Sequence, residues 1–117
     1  ISKSDTPVAA AYLAEKTAQL RIFNDPQGKM NLSLLETGGA ALVVSQFTLY
    51  GDVRRGRRPG FDRAAQTAQA IELYEEYARR LQGHGVRVEM GIFQAHMELE
   101  LVNDGPVTIL LDSEKTL

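Results

Sequence analysis

No cysteine occurs among the 117 residues, which excludes disulfides, thiolate nucleophiles and thiolate metal sites. The only histidines, His84 and His96, lack the HExxH-type spacing of a zinc site. With no recognisable orienting acid, they also make no Ser/His/Asp triad. No metal and no cofactor is expected. A GxxxxGK phosphate loop is missing too, since Gly51, Gly56 and Gly60 flank arginines. The net charge of −2 gives no global basic signature for nucleic acid. No apolar run reaches the length of a membrane span and no signal-peptide pattern is found, so a cytoplasmic protein with no membrane partner is expected. An initiator Met is also lacking. Ile1 leads into Ser2-Lys3-Ser4-Asp5-Thr6-Pro7, which reads as the loop into a helix, and a processed or truncated chain with strands upstream is expected.

What is present supports one packed domain over residues 1–117, with 44% hydrophobic residues and no repeat or low-complexity tract. Thr6-Pro7 marks a helix start, and Ala10, Leu13, Thr17 and Leu20 recur at helical spacing. Arg21-Ile22-Phe23 reads as a short extended piece, followed by the turn Asn24 to Gly28. Alternation over Met30, Leu32 and Leu34 predicts a strand. Thr37-Gly38-Gly39 should turn it into a hairpin with the run Ala41 to Tyr50. Ile71, Tyr74, Ala78 and Leu81 mark a second helix, ended by Gly83 and Gly85. Strands follow at Val86 to Met90, at Met97 to Leu101 with one solvated face, and at Val107 to Leu111, an apolar run that predicts a central strand. Five or six strands with two main helices give an α+β fold with a mixed, mostly antiparallel sheet, partly barrel-like.

Three features carry candidate chemistry. Ser45 and Thr48 place hydroxyls at the end of a predicted buried strand, yet a nucleophilic hydroxyl needs a base that neither histidine obviously supplies. Arg54, Arg55, Arg57, Arg58 and Arg63 are five of the thirteen basic residues and fall within one short stretch, a local polyanion contact or a soluble loop. Asn103-Asp104-Gly105-Pro106 is a rigid polar turn between apolar runs. Its backbone can present main-chain atoms in a fixed direction, and its Gly-Pro bond can be cis. Glu98 and Glu100 read as the solvated face of a strand rather than a metal site.

Across essentially its whole length the sequence resembles the D-aminoacyl-tRNA deacylase family. The likeness rests on Tyr12-Leu13-Ala14-Glu15-Lys16, Leu20-Arg21-Ile22-Phe23, Gly28 to Leu34, Val44-Ser45-Gln46-Phe47-Thr48-Leu49-Tyr50, Gly56-Arg57-Arg58-Pro59 and Leu101 to Thr108. The resemblance implies a homodimer that hydrolyses the ester joining a D-amino acid, or glycine, to tRNA. It implies that Ser45, Gln46, Phe47 and Thr48 line the ester site, with the substrate's terminal ribose hydroxyl helping to activate water and N–H groups around Phe47 stabilising the oxyanion. Met97 would line the pocket. Gly105 and Pro106 would form a cis element that screens chirality in the partner's pocket, with Asn103 and Thr108 completing that motif. Arg54, Arg55, Arg57 and Arg58 would contact the tRNA. Two departures stand out. The family often has Gly-Ala-Asp-Met where this chain has Gln94-Ala95-His96-Met97, and its members normally begin about thirty residues earlier, with a strand pair. Two other readings remain open: a hydrolase with Thr48 as nucleophile, and a non-catalytic tRNA-binding or dimerisation module.

Overall fold

The computed structural model describes residues 1–117. Helix α1 spans Pro7–Gln19, with Pro7 at its first position. Thr6 takes the extended capping conformation without a side-chain cap bond. The chain then forms β1 (Phe23–Asn24) and β2 (Met30–Leu32), an antiparallel pair around a turn in which the Asp25 carboxylate accepts from the amides of Gln27 and Lys29. A short helix, α2 (Leu34–Thr37), comes next. Strand β3 (Ala40–Val43), a 3-10 turn (Phe47–Tyr50), helix α3 (Thr67–Gly83) and strand β4 (Arg87–Met90) complete the elements.

Strands β3 and β4 pair in parallel, Ala40 with Arg87 through Val43 with Met90. Parallel neighbours need a crossover, and α3 supplies it. Small residues let α1 approach α3 closely: Ala10, Ala14 and Ala18 recur every fourth position and are buried beside Leu73, Ala78 and Leu81. The core gathers Ala14, Ala18, Leu34, Leu81 and Val86, with Val43, Tyr77 and Val88 packed on it. The Tyr77 hydroxyl and Thr17 Oγ1, 2.9 Å apart, tie the two helices at mid-length.

Several sequence expectations need correction. The single, partly barrel-like, mostly antiparallel sheet is instead two separate two-stranded sheets, one antiparallel and one parallel. The hairpin joining the Met30 strand to the Ala41 run does not form. The reason is local: Ser33 and Glu36 make a capping box, each side chain bonding the other's backbone N–H, and this nucleates α2 between the strands. That adds a third α-helix to the two predicted. Ser45 to Tyr50 does not continue β3 but coils into the 3-10 turn. In α1 the buried face is the alanine row; Leu13, Thr17 and Leu20 are only half-buried.

The largest difference lies at the end of the chain. Met97 to Leu101 and Val107 to Leu111, both predicted strands, form no strand and, apart from half-buried Val107, are exposed. No backbone hydrogen bond joins either segment to a strand. An apolar run signals burial without naming a partner, and neither segment pairs with a strand of the chain. Past them the chain returns to the body: Asp112 accepts from the amides of Glu114 and Thr116, Ser4 bonds Glu114, and Lys115 lies over the Tyr12 ring. No helix is long and apolar enough to cross a membrane.

Candidate active site

In sheets with parallel strands, ligands settle beyond the carboxyl ends of those strands, where the chain departs into loops. Here β3 leaves into Ser45–Tyr50 and β4 leaves into Gly91–Met97, so two of the predicted site segments start side by side. Gly91 N–H donates to the Val43 carbonyl at 3.0 Å, holding the two exits together. A side chain at Gly91 would lie 3.0 Å from Met97 Sδ and 3.6 Å from Val44 Cγ2, so glycine is what lets Met97 lie against the end of β3. The structure therefore brings Met97 next to the residue that precedes Ser45.

Ser45 is half-buried, while Gln46, Phe47 and Thr48 are exposed on the 3-10 turn. The first amides of any helical turn have no partner inside it, and the N–H groups of Phe47 and Thr48 donate to no backbone carbonyl. The Thr48 hydroxyl accepts a short bond from the Gln46 side-chain amide. No imidazole or carboxylate is paired with it: His84 ends α3, where its backbone N–H caps Arg80 and Leu81, and His96 is exposed. Gln94 adopts a left-handed φ of 63°, and its amide bonds Thr67 Oγ1 at the start of α3.

The arginine loop is built onto the same turn. Asp52 and Gly60 exchange backbone bonds of 2.7 and 2.9 Å, closing residues 52–60 into a ring, and Phe61 just beyond it packs edge-on against Phe47 with centroids 4.9 Å apart. Arg54 folds back onto Asp52, whose carboxyl its guanidinium holds well below the usual carboxylate range. Arg55, Arg57 and Arg58 are exposed and form no ion pair. Asp52, Arg54, Arg55, Arg58, Gly60 and Asp62 line an open cavity of about 600 Å³. Arg63 faces elsewhere, its guanidinium 5.5 Å above the half-buried Tyr50 ring.

The Asn103–Thr108 motif stands apart from these groups. Asn103 Oδ1 accepts from the Val107 amide at 3.0 Å and its Nδ2 donates to Thr108 Oγ1 at 3.4 Å, bracing the turn from within. The Gly105-Pro106 bond is cis, and both residues are exposed. Neither makes a hydrogen bond to the Ser45–Thr48 segment.

Sequence reasoning missed Tyr74 as more than a core residue, and missed Phe61, Gly91 and Phe93. Tyr74, on the inner face of α3, is 6% exposed and packs against Phe93 with centroids 5.9 Å apart and ring planes tilted by 44°. Its hydroxyl lies 2.8 Å from the Val43 carbonyl and 3.3 Å from that of Gly91, and burial pushes the phenol above its ordinary value. The available signal was slight: a Tyr on an apolar helix face must find a partner for its hydroxyl.

A family profile described as D-Tyr-tRNA(Tyr) deacylase matches residues 1–112. A D-aminoacyl-tRNA deacylase of Symbiobacterium thermophilum is 66% identical over 116 residues, spanning 99% of this chain and 77% of that protein. One of Desulforudis audaxviator is 60% identical over 98% of this chain and 77% of its own length. Among solved structures, a protein titled c-Myc DNA Unwinding Element Binding Protein superposes with a TM-score of 0.87 at 36% identity, covering 96% of this chain and 76% of that one.

Proposed function

We propose, from the premise that this chain belongs to the D-Tyr-tRNA(Tyr) deacylase family, that it hydrolyses the ester of D-aminoacyl-tRNA with main-chain groups doing most of the chemistry. The observation that carries this reading is the turn at Ser45–Thr48: it offers main-chain N–H groups at a strand exit while its Thr48 hydroxyl is engaged by Gln46 and by no base. The amides around Phe47 receive the developing oxyanion, and such pre-aimed donors are a large catalytic term. Water is activated by the terminal ribose hydroxyl of the substrate itself, which removes the need for a protein base. Ser45 and Gln46 line the ester, and Met97 forms the pocket wall.

Chirality is screened by the Gly105-Pro106 turn, which Asn103 and Thr108 hold stiff. It carries no side chain able to grip a substrate, so it selects by steric exclusion: an L side chain meets the wall and a D side chain points away. Glycine has no side chain to exclude, so glycyl-tRNA passes the same screen. The turn acts in the pocket of a second subunit, in a homodimer whose two-fold symmetry gives two equivalent sites. The exposed apolar residues flanking the turn, Leu99, Leu101, Val102 and Leu110 among them, support such a partner. Arg54, Arg55, Arg57 and Arg58 track the tRNA backbone, and the reaction takes place in the cytoplasm with translation.

Release of amino acid from D-, L- and glycyl-tRNA tests the reading. Hydrolysis of the D and glycyl esters with the L ester spared is the expected outcome, and equal cleavage of D and L esters would refute the screen. The rival, nucleic-acid binding without catalysis, draws support from the exposed arginine loop; it requires tRNA binding with no release of amino acid.

A further inference from the structure

Tyr74 is a buried titratable group that the reaction as described does not use. A phenylalanine there would fill the same space in the core and stack on Phe93 equally well. The hydroxyl is the extra feature, and burying it costs free energy unless it is bonded. Its single O–H points to one place: it is shared between the carbonyls of Val43, at 2.8 Å, and Gly91, at 3.3 Å, the last residue of β3 and the first past β4. The Val43 carbonyl already accepts from the Gly91 amide, so that hydrogen bond and the phenol oxygen together span both strand exits. The Tyr74 ring also supports Phe93, midway between Gly91 and Met97.

We propose that Tyr74 is a positioning residue for deacylation: its hydroxyl clamps the ends of β3 and β4 and thereby sets the gap between the Ser45–Thr48 turn and Met97. The proposal rests on the reading of that turn as the ester site. Catalysis by fixed donors depends on placement, so a small loosening costs rate without costing tRNA affinity, which lies with the arginine loop. No hydrogen bond or aromatic pair joins Tyr74 to that loop.

Tyr74→Phe removes only the hydroxyl. The expected result is a kcat for D-aminoacyl-tRNA lowered about tenfold or more with KM changed by less than about twofold. Amide exchange supplies a second readout: Gly91 and Leu49 should exchange faster, while Ala14 and Ala18 in α1 keep their wild-type rates. An unchanged kcat with unchanged exchange at Gly91 would overturn the proposal. So would uniform acceleration of exchange that includes α1, the mark of a merely structural role. A wild-type chain that releases no D-amino acid would overturn the functional reading instead, and the exchange comparison would then decide on its own whether the clamp exists.

Discussion

In the body of the molecule Ala14, Ala18 and Leu81 are sealed from solvent; in the arm between Gly91 and Asp112, Val102 is 91% and Leu110 69% exposed. Both regions are comparably apolar in sequence. In the body, apolar residues meet partners from distant elements, α1 on α3 and β3 on β4, and every buried side-chain polar atom is bonded. In the arm, Phe93 and Gln94 reach α3, but beyond Met97 the side-chain hydrogen bonds are those of the Asn103 brace, which stiffens the turn without attaching it to the body. The lesson is that order in this chain has two sources. Packing fixes the body and the strand exits that begin the proposed ester site, whereas the Asn103–Thr108 turn, the proposed chirality screen, is fixed by its own internal hydrogen bonds.

The harshest test of that contrast is truncation on each side. Leu81→Ala empties a fully buried site and should lower stability by about 2–5 kcal/mol in urea unfolding. Val102→Ala, on the exposed arm, should cost about 0.5 kcal/mol or less if the arm stands free. A large cost at Val102 that shrinks as protein is diluted would mean that the arm is covered by a second copy, and light scattering on the same samples would show the dimer.

Much of the body was legible because its signals are local. Pro7 and the spacing of Ile71, Tyr74, Ala78 and Leu81 announce two helices, and Gly28 and Gly85 fall at turns with positive φ. Helix α2 was missed although Ser33 and Glu36 spell out its capping box, because the alternation of Met30, Leu32 and Leu34 runs straight into it. Strand pairing was not legible: hydropathy shows that Val107 to Leu111 should be covered but carries no information about the covering strand. At the site, the Ser45 and Asn103 segments were visible as motifs. Tyr74 and Gly91 were not, since their importance lies in three-dimensional contacts between β3, β4 and α3.

A smaller effect on stability with a larger one on function is expected at the turn. Gly105 has φ of +137°, and a Cβ there would lie 2.8 Å from Val107 Cγ2. Gly105→Ala therefore forces about 1–3 kcal/mol of strain or a rearranged turn. Deacylation should fall or D-over-L preference collapse, while the thermal midpoint drops by several degrees if the strain is retained and less if the turn rearranges. Undiminished preference would move the screen elsewhere.

The arginine loop should behave more modestly still. Arg55→Ala with Arg58→Ala should flatten the dependence of log K for tRNA on log salt by about one to two units, equally for all tRNA sequences. Asp52→Asn is the mildest probe and has the opposite sign. It frees Arg54, so the slope should steepen by about one unit. Because Arg54 holds the Asp52 carboxyl well below its ordinary value, the pair is present above that ordinary value and is lost only as pH falls far beneath it. The wild-type slope should accordingly stay constant from neutral to mildly acidic pH, and a change over that range would contradict the Asp52–Arg54 pair.

The central claim, that main-chain donors and the substrate's own hydroxyl perform the hydrolysis, is tested most directly by single-turnover deacylation of D-aminoacyl-tRNA with Thr48→Ala and with tRNA whose terminal 2′-hydroxyl is replaced by hydrogen. The account predicts that Thr48→Ala slows the wild-type substrate by about tenfold or less, some 1.4 kcal/mol of barrier, while the deoxy substrate is inert with either protein. A folded Thr48→Ala protein with no activity, alongside normal cleavage of the deoxy substrate by the wild type, would contradict it and make Thr48 the nucleophile.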